Sequence, residues 1–138
     1  IVAALIVGSS ATIGSVLVGA ALFDLPATIT ISSLPKSATS GVAMGISQSV
    51  GGDASLTAII VVATGIAGAV MATPLLNVLR ITDRRARGFA VGLAAHGVGT
   101  ARAFQVHPLT GTFAGVGMSL NGLLTAVLVP LAASLIGG

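Results

Sequence analysis

The stretch Leu56–Leu79, LTAIIVVATGIAGAVMATPLLNVL, decides the fold of this chain. It carries no charged side chain, and it is longer than the roughly 20 apolar residues that an α-helix needs to cross the hydrocarbon core of a bilayer. Asp53 or Ser55 can cap its first turn, and Pro74 predicts a kink in its last turns. The stretch therefore predicts a transmembrane helix.

The composition of the whole chain is that of a membrane protein. Of its 138 residues, 54% are hydrophobic and 7% are charged, and the mean hydropathy is +1.09. A soluble domain has about 25% charged residues, so lipid must cover much of this surface. We expect an all-α, polytopic transmembrane bundle that forms one domain over residues 1–138. Because the chain opens at Ile1, without Met, we also expect it to be the C-terminal part of a longer protein.

Long and short apolar segments alternate along the chain. Ile1–Phe23 and Leu109–Ile136 are long enough to span a bilayer, whereas Gly41–Val50 and Gly88–Ala101 are too short to cross alone. We expect the two short segments to be broken or re-entrant helices, the first with Ser37 as its N-cap.

The two short segments also resemble each other. Gly41–Ile46 and Gly88–Leu93 share the pattern G-x-A-x-G-aliphatic, and further matches follow at the same offset: Gly52 with Gly99, Gly68 with Gly115 and Met71 with Met118. This indicates an internal repeat. Paired, interrupted segments of this kind point to the binding site of a secondary transporter. The physical reason is that a helix ending within the membrane offers unpaired N–H groups and a positive dipole end to an anion.

The few cations fall into two groups. Four of the six lie in one loop (Arg80, Arg84, Arg85 and Arg87), which the positive-inside rule places in the cytoplasm. The other two, Lys36 and Arg102, interrupt apolar, glycine-rich stretches. A cation at membrane depth costs roughly 2.5–3.5 kcal/mol on insertion scales, so such residues are candidates for a functional site. The net charge of +3 and 3% aromatic residues exclude a nucleic-acid-binding protein.

Lys36 lies between Pro35 and a cluster of hydroxyl side chains at the start of the first short segment. In one interpretation it contacts an anion, and Ser37, Thr39 and Ser40 complete a carboxylate site with hydrogen bonds. In the other, it is an interfacial lysine whose ammonium reaches the lipid headgroups. The residues leave both interpretations open.

The second short segment carries His96, Thr100 and Arg102. His96 and Thr100 are four residues apart and share a helix face, whereas Arg102 joins them only if the helix unwinds within Gly97–Gly99. With that break, Arg102 can contact an anion, Thr100 can donate a hydrogen bond, and His96 can be a proton relay or pH-sensitive ligand. The alternative is a buried histidine bonded to a carbonyl of a neighbouring helix, with Arg102 at the membrane interface.

Enzymatic chemistry finds no support in the sequence. The chain has no Cys and no Glu, and its two His and three Asp match no metal-binding spacing. No catalytic constellation is present, so we expect neither an enzyme nor a cofactor. We expect Gln48 and Asn121 to form hydrogen bonds between helices rather than to contact a solute, and His107 to be solvated.

At these residues the chain resembles the LrgB/CidB family of bacterial membrane proteins, which includes the plastid glycolate/glycerate translocator. The matching stretches are Ser33–Ser37, Gly51–Ala58, Thr64–Gly68, Ala86–Gly88 and, most strongly, AHGVGTARA at Ala95–Ala103. They cover most of Leu34–Pro130. The family usually has Thr-Thr-Pro after Lys-Ser-Val, where this chain has ATSG from Ala38 to Gly41, which leaves the start of the first short helix open.

The resemblance implies two different functions. Family members are described as antiholin-like modulators of murein hydrolase export and autolysis, acting with a small LrgA/CidA-type membrane partner. Relatives are also linked to transport of small monocarboxylates, namely pyruvate, glycolate and glycerate. The residues favour transport, because a lytic pore needs neither paired broken segments nor a buried Lys/His/Arg set.

We therefore expect a proton-linked monocarboxylate transporter in the bacterial inner membrane, forming a homo-oligomer and working with the small partner. The alternative is a holin-like or regulatory membrane component. In that case helix packing through the GxxxG pairs matters more than a solute site; these are Gly41/Gly45, Gly88/Gly92 and Gly111/Gly115.

Overall fold

The described residues form six helices and no strand. In the computed structural model, which describes residues 1–134 and 136, the helices are α1 (Val2–Phe23), α2 (Ala27–Ser33), α3 (Ser40–Ser49), α4 (Ala54–Val78), α5 (Arg84–Val106) and α6 (Pro108–Ser134). Among these, α1, α4 and α6 are long and apolar enough to cross a membrane. The chain is therefore the all-α membrane bundle that its composition predicts.

The long helices form where the long apolar stretches predict them. α4 begins after Asp53, one of its two predicted caps, whose carboxylate accepts a hydrogen bond of 2.8 Å from the backbone N–H of Leu56. α6 ends at Ser134. The predicted stretch runs on to Ile136 and includes Leu135, which lies outside the described residues.

α5 begins earlier than the predicted short segment. The carboxylate of Asp83 caps it by accepting hydrogen bonds from the backbone N–H groups of Arg85 and Ala86, both at 2.8 Å. Three of the four arginines expected in a loop (Arg84, Arg85 and Arg87) therefore lie in the first turn of this helix. We call the end of the bundle where α4 ends and α5 begins the arginine side.

α5 is a hairpin of two helical arms. Its backbone is helical except at His96, where φ is 41° and ψ is −133°. Residues 84–95 form an inbound arm and residues 97–106 a return arm. A side chain added at Gly99 would lie 3.1 Å from the carbonyl oxygen of Val91, and in an unbroken helix eight residues span about 12 Å. The chain therefore reverses direction at His96.

The start of α6 shows that this hairpin is re-entrant. The Cα of Gly88 faces the carbonyl oxygen of Thr110, and that of Gly92 faces the carbonyl of Ala114, so closely that no side chain fits between the two helices. The inbound arm and α6 thus run parallel from the arginine side. Since α6 follows the return arm after one residue, α5 enters and leaves on the same side.

α2 and α3 form a second re-entrant hairpin, which enters from the opposite side. The hydroxyl of Thr57, in the first turn of α4, lies 2.9 Å from the carbonyl oxygen of Ser32 in α2 and 2.7 Å from the Ser47 hydroxyl in α3. Both arms therefore meet the beginning of α4. The connecting residues 34–39 reach deeper, since Ala38 packs with Val61 in one buried cluster. We call residues 34–39 the first tip and His96 the second tip.

The chain contains two units of opposite orientation, each a re-entrant hairpin followed by a crossing helix, whereas the internal repeat stays a prediction. The glycine pattern that predicted the repeat does not align these two units. Gly41 and Gly45 lie on the return arm of the first hairpin and have open space around them, whereas Gly88 and Gly92 lie on the inbound arm of the second and touch α6. The predicted register is therefore wrong.

The predicted cap of the first short helix is also wrong. α3 begins at Ser40 with Thr39 as its N-cap residue, and no side chain caps it. Ser37 lies within the first tip, where the N–H of Ala38 donates to the carbonyl of Pro35 at 2.9 Å. That tight turn moves the N-cap by two residues, from Ser37 to Thr39.

Close packing at Gly92 generates a stability prediction. Gly92→Ala forces a methyl group into the α6 backbone, and we expect a loss of about 1–3 kcal/mol in the free energy of unfolding. Gly45→Ala is the matched control, because its surroundings are open and alanine favours a helix by up to about 1 kcal/mol over glycine. Thermal unfolding of the purified full-length protein in detergent measures both. Equal melting temperatures would contradict the tight contact.

Candidate functional site

The first tip and the inbound arm of α5 meet at the side chain of Asn121 on α6. Its Nδ2 donates to the carbonyl oxygens of Ser37 at 3.0 Å and Leu93 at 3.2 Å, and its Oδ1 accepts a hydrogen bond of 2.7 Å from the Ser9 hydroxyl. Asn121 is completely buried. One amide thus joins α1, the first tip, the inbound arm of α5 and α6. This confirms the predicted inter-helix role of Asn121.

A cavity of about 520 Å³ opens beside this junction, between α4 and the inbound arm. Most of its wall is alanine, glycine and larger apolar side chains. Its polar side chains are Thr12, Lys36, Ser37 and Thr64, and Lys36 is the charged one among them. The cavity therefore combines a small-residue wall with a few polar groups, all near the first tip.

Lys36 points its ammonium across to α1. Nζ donates a hydrogen bond of 2.9 Å to the Ser15 hydroxyl, and the side chain is half-buried. Among the described residues no carboxylate pairs with it; Asp53 and Asp83 serve as helix caps at the bundle ends. An ammonium has three N–H donors, so two of them remain for a ligand.

Ser37 presents a hydroxyl that has no partner in the described part of the chain. The residue is 3% exposed, its Oγ is buried, and it lines the same cavity as Lys36. A buried hydroxyl without a hydrogen bond costs about 1–3 kcal/mol. A bound solute that accepts this hydrogen bond removes the cost, so Ser37 is poised for a ligand.

His96 reaches across the bundle to α4. Its Nε2 lies 2.9 Å from the carbonyl oxygen of Val61, and its ring packs against Gly65. Thr100 donates to the carbonyl oxygen of His96 at 2.7 Å. The backbone break thus lies at His96 itself, one residue before the predicted Gly97. The observed contact is the one that the alternative interpretation of His96 predicts.

Thr39 and Arg102 stand apart from the cavity. Thr39 is the last residue of the first tip, directly before α3, and does not line the cavity wall. Arg102 is exposed, its Nη1 donates to the Gln105 side chain at 3.3 Å, and it lines a separate crevice with Arg87. The structure therefore brings Lys36 and Ser37 together at the cavity and does not bring Arg102 to them.

Sequence reasoning missed the polar stripe on α1 that faces the first tip. Ser9 contacts Asn121, Ser15 contacts Lys36, and Thr12 lines the cavity. Their spacing of three residues places them along one face of a helix, which was the available signal. Gln48, expected between helices, is exposed.

Comparison with known proteins identifies the family of this chain. The model of the LrgB-like family matches residues 1–135. The chain belongs to the LrgB-like family. No solved structure matches it.

Three curated relatives each match most of the chain. The chain is 35% identical over 97 residues to YwbG of Bacillus subtilis, an alignment that covers 70% of the chain and 43% of the relative. It is 34% identical over 98 residues to the holin-like protein CidB of Staphylococcus epidermidis (71% and 43%). It is 31% identical over 103 residues to the holin-like protein CidB of Staphylococcus aureus (75% and 45%). The chain thus spans less than half the length of the curated relatives that it matches.

The Asn121 junction generates a second stability prediction. Asn121→Ala leaves the buried carbonyl oxygens of Ser37 and Leu93 unpaired, and we expect a loss of about 2–3 kcal/mol in the free energy of unfolding. Ser119→Ala, at an exposed position of the same helix, is the control and should change little. Thermal unfolding in detergent checks both, and equal effects of the two substitutions would refute the role of the junction.

Proposed function

We propose that this chain forms the substrate site of a membrane transporter for small monocarboxylates of the pyruvate and glycolate class. The observation that carries the proposal is the pair of groups on the first tip. Lys36 has two N–H donors free of described partners, and Ser37 has a buried hydroxyl without one, at the wall of one cavity. Carboxylates bind such groups through charge-assisted hydrogen bonds.

The backbone arrangement supports a transporter. Non-helical backbone is tolerated at membrane depth only where it is buried in protein or lines a cavity. Here two re-entrant hairpins enter from opposite sides, and the first tip lines the cavity while Ala95, next to the second tip, does so too. Inverted units with a solute site at their junction are the typical architecture of secondary transporters.

The cavity wall supports a singly charged, small solute. Lys36 is the one charged side chain among the residues that line it, so a second carboxylate would be buried without a counter-charge. Alanine and glycine leave room for a compact solute, and Thr64 provides a hydroxyl for its 2-oxo or 2-hydroxy group. The Thr12 hydroxyl donates to the Ser9 carbonyl and can still accept a hydrogen bond from a 2-hydroxy group. A monocarboxylate therefore fits better than a dicarboxylate.

Each predicted site residue keeps a proposed role. Lys36 and Ser37 bind the carboxylate, and Thr39 and Thr100 add hydrogen bonds when the tips move. His96 is the proton-linked group, since it occupies the second tip beside the cavity-lining Ala95. Arg102 acts outside the cavity. No residue in this scheme performs catalysis, so the proposed role is not enzymatic.

We also propose where the protein lies in the cell and what it assembles with. The protein is placed in the bacterial inner membrane as a homo-oligomer, with the arginine side in the cytoplasm by the positive-inside rule. A small LrgA/CidA-type membrane protein is its expected partner.

A second candidate function is supported by the names of the relatives, two of which are called holin-like proteins. In that function the chain modulates murein hydrolase export and autolysis through helix contacts. Gly111 packs against the Phe104 ring of the same chain, whereas Gly115 has open space around it. Of that GxxxG pair, Gly115 is therefore the position available to a partner helix, and Gly115→Leu distinguishes this function from transport.

Uptake of labelled pyruvate and glycolate tests the proposed function. The full-length protein is placed in liposomes, with and without its small partner, under an inward proton gradient. We expect saturable uptake that falls at least about tenfold in Lys36→Ala, because the carboxylate loses a contact that contributes more than about 1.4 kcal/mol. Arg84→Gln, which removes an exposed charge far from the cavity, is the control.

The same uptake experiment can also contradict the proposed function. Unsaturable leakage of unrelated dyes would indicate a pore, and uptake unaffected by Lys36→Ala would remove the assigned site. Loss of function in Gly115→Leu together with normal function of Lys36→Ala would favour the holin-like alternative.

The proposed proton linkage gives a further prediction. His96→Asn removes the titrating ring, and asparagine tolerates the positive φ at this position better than most residues. We expect uptake driven by the proton gradient to be lost while exchange of solute across the membrane continues. Gradient-driven uptake at the normal rate in His96→Asn would show that another group carries the proton.

A further inference from the structure

A second, smaller crevice lies on the arginine side, separate from the central cavity. It has a volume of about 20 Å³ and is enclosed by α4, both arms of α5 and the start of α6. Arg87 from the inbound arm and Arg102 from the return arm both line it, together with Thr73 and Thr110. Folding of the α5 hairpin thus brings together two guanidinium groups that are distant in the sequence.

Neutral groups are the hydrogen-bond partners of both arginines. Arg87 Nη1 donates to the Asn77 side chain at 2.9 Å and to the Ile81 carbonyl oxygen at 2.8 Å. Arg102 Nη1 donates to the Gln105 side chain at 3.3 Å. Within the described residues neither guanidinium has an ion pair. Two like charges share one crevice with hydroxyl donors and no counter-charge, an arrangement that attracts an anion.

The crevice adjoins the central cavity. Ala72, Leu76 and Val91 line both spaces, so one layer of side chains separates them. The volume holds about one water molecule, so one oxygen of a carboxylate can enter the crevice while the rest of the solute stays towards the exposed Arg102 side. An anion in the crevice therefore lies one side chain away from the Lys36 cavity.

We propose that Arg87 and Arg102 form an outer anion site, where a small carboxylate is held before it passes Leu76 into the central cavity. This inference rests on the proposed transport function, and it adds that the solute approaches the central cavity from the arginine side. The site raises the local concentration of anionic solute, an effect that falls as salt screens the two charges. The headgroup of a lipid with net negative charge has similar chemistry, and the test separates the two sources.

The kinetic test uses the full-length protein in vesicles of phosphatidylcholine alone, which carry no anionic headgroups. At low salt, Arg102→Gln is expected to raise the KM for pyruvate about tenfold without lowering kcat, and the difference should vanish at high salt. Arg87→Lys, which keeps the charge, should retain most of the salt dependence. Arg84→Gln lies outside the crevice and should leave KM unchanged. An Arg102 effect seen only with anionic lipids would assign the crevice to a headgroup and overturn the proposal.

A second test does not depend on transport. Thr73→Cys places a thiol in the crevice of a full-length protein without other cysteines, and its reaction with an anionic and a cationic methanethiosulfonate reagent is timed. We expect the ratio of the anionic to the cationic rate to fall about tenfold on adding Arg102→Gln and to stay constant on adding Arg84→Gln. An unchanged ratio would refute the outer site.

The two tests separate this inference from the proposed function. A charge-dependent rate ratio without saturable uptake would retain the anion site and remove the transport function. Saturable uptake that depends on Lys36, with a rate ratio indifferent to Arg102, would retain transport and remove the outer site.

Discussion

The amide of Asn121 makes three hydrogen bonds in the interior of a membrane bundle, and the position of both tips depends on them. Re-entrant hairpins leave backbone carbonyls without helical partners at a depth where lipid offers none. Asn121 satisfies one carbonyl from the first tip and one from the inbound arm of α5, and Ser9 completes its own pairing. The Asn121 side chain therefore supplies hydrogen bonds to the backbone carbonyls of two irregular segments and fixes the distance between these segments.

Small residues make this junction compatible with close packing. Gly88 and Gly92 let the inbound arm approach the backbone of α6, and Gly65 leaves space for the His96 ring on α4. The hydroxyl of Thr57 supplies the corresponding polar link at the base of the first hairpin. Association inside lipid relies on such van der Waals contact and inter-helix hydrogen bonding, since apolar burial gains little there.

The sequence predicted the long helices well, because length and hydropathy alone define a crossing. The direction of a short segment is not encoded in its hydropathy, so the re-entrance of α5 became visible only through contacts such as that of Gly99 with Val91. The helix break was expected within Gly97–Gly99 and lies at His96. Two hydrogen bonds hold the positive φ of His96: one joins its ring to the carbonyl of Val61, and the other joins its carbonyl to the hydroxyl of Thr100. Lys36 and Ser37 both line the central cavity, and their binding of a solute stays a prediction. Arg102 lies elsewhere because the return arm carries it back to the arginine side.

Each unit, made of one hairpin and one crossing helix, carries the chain across the membrane once. A unit that dips in and comes out contributes no change of side, while its crossing helix contributes one. A second unit that follows in the same chain must then have the opposite orientation in the membrane, and no feature of its own sequence is needed to set that orientation. Each compartment thus faces the open end of one hairpin, while both tips lie inside the bundle. In the proposed transporter, the inward-facing and outward-facing states can therefore be related by an exchange of conformation between the two units.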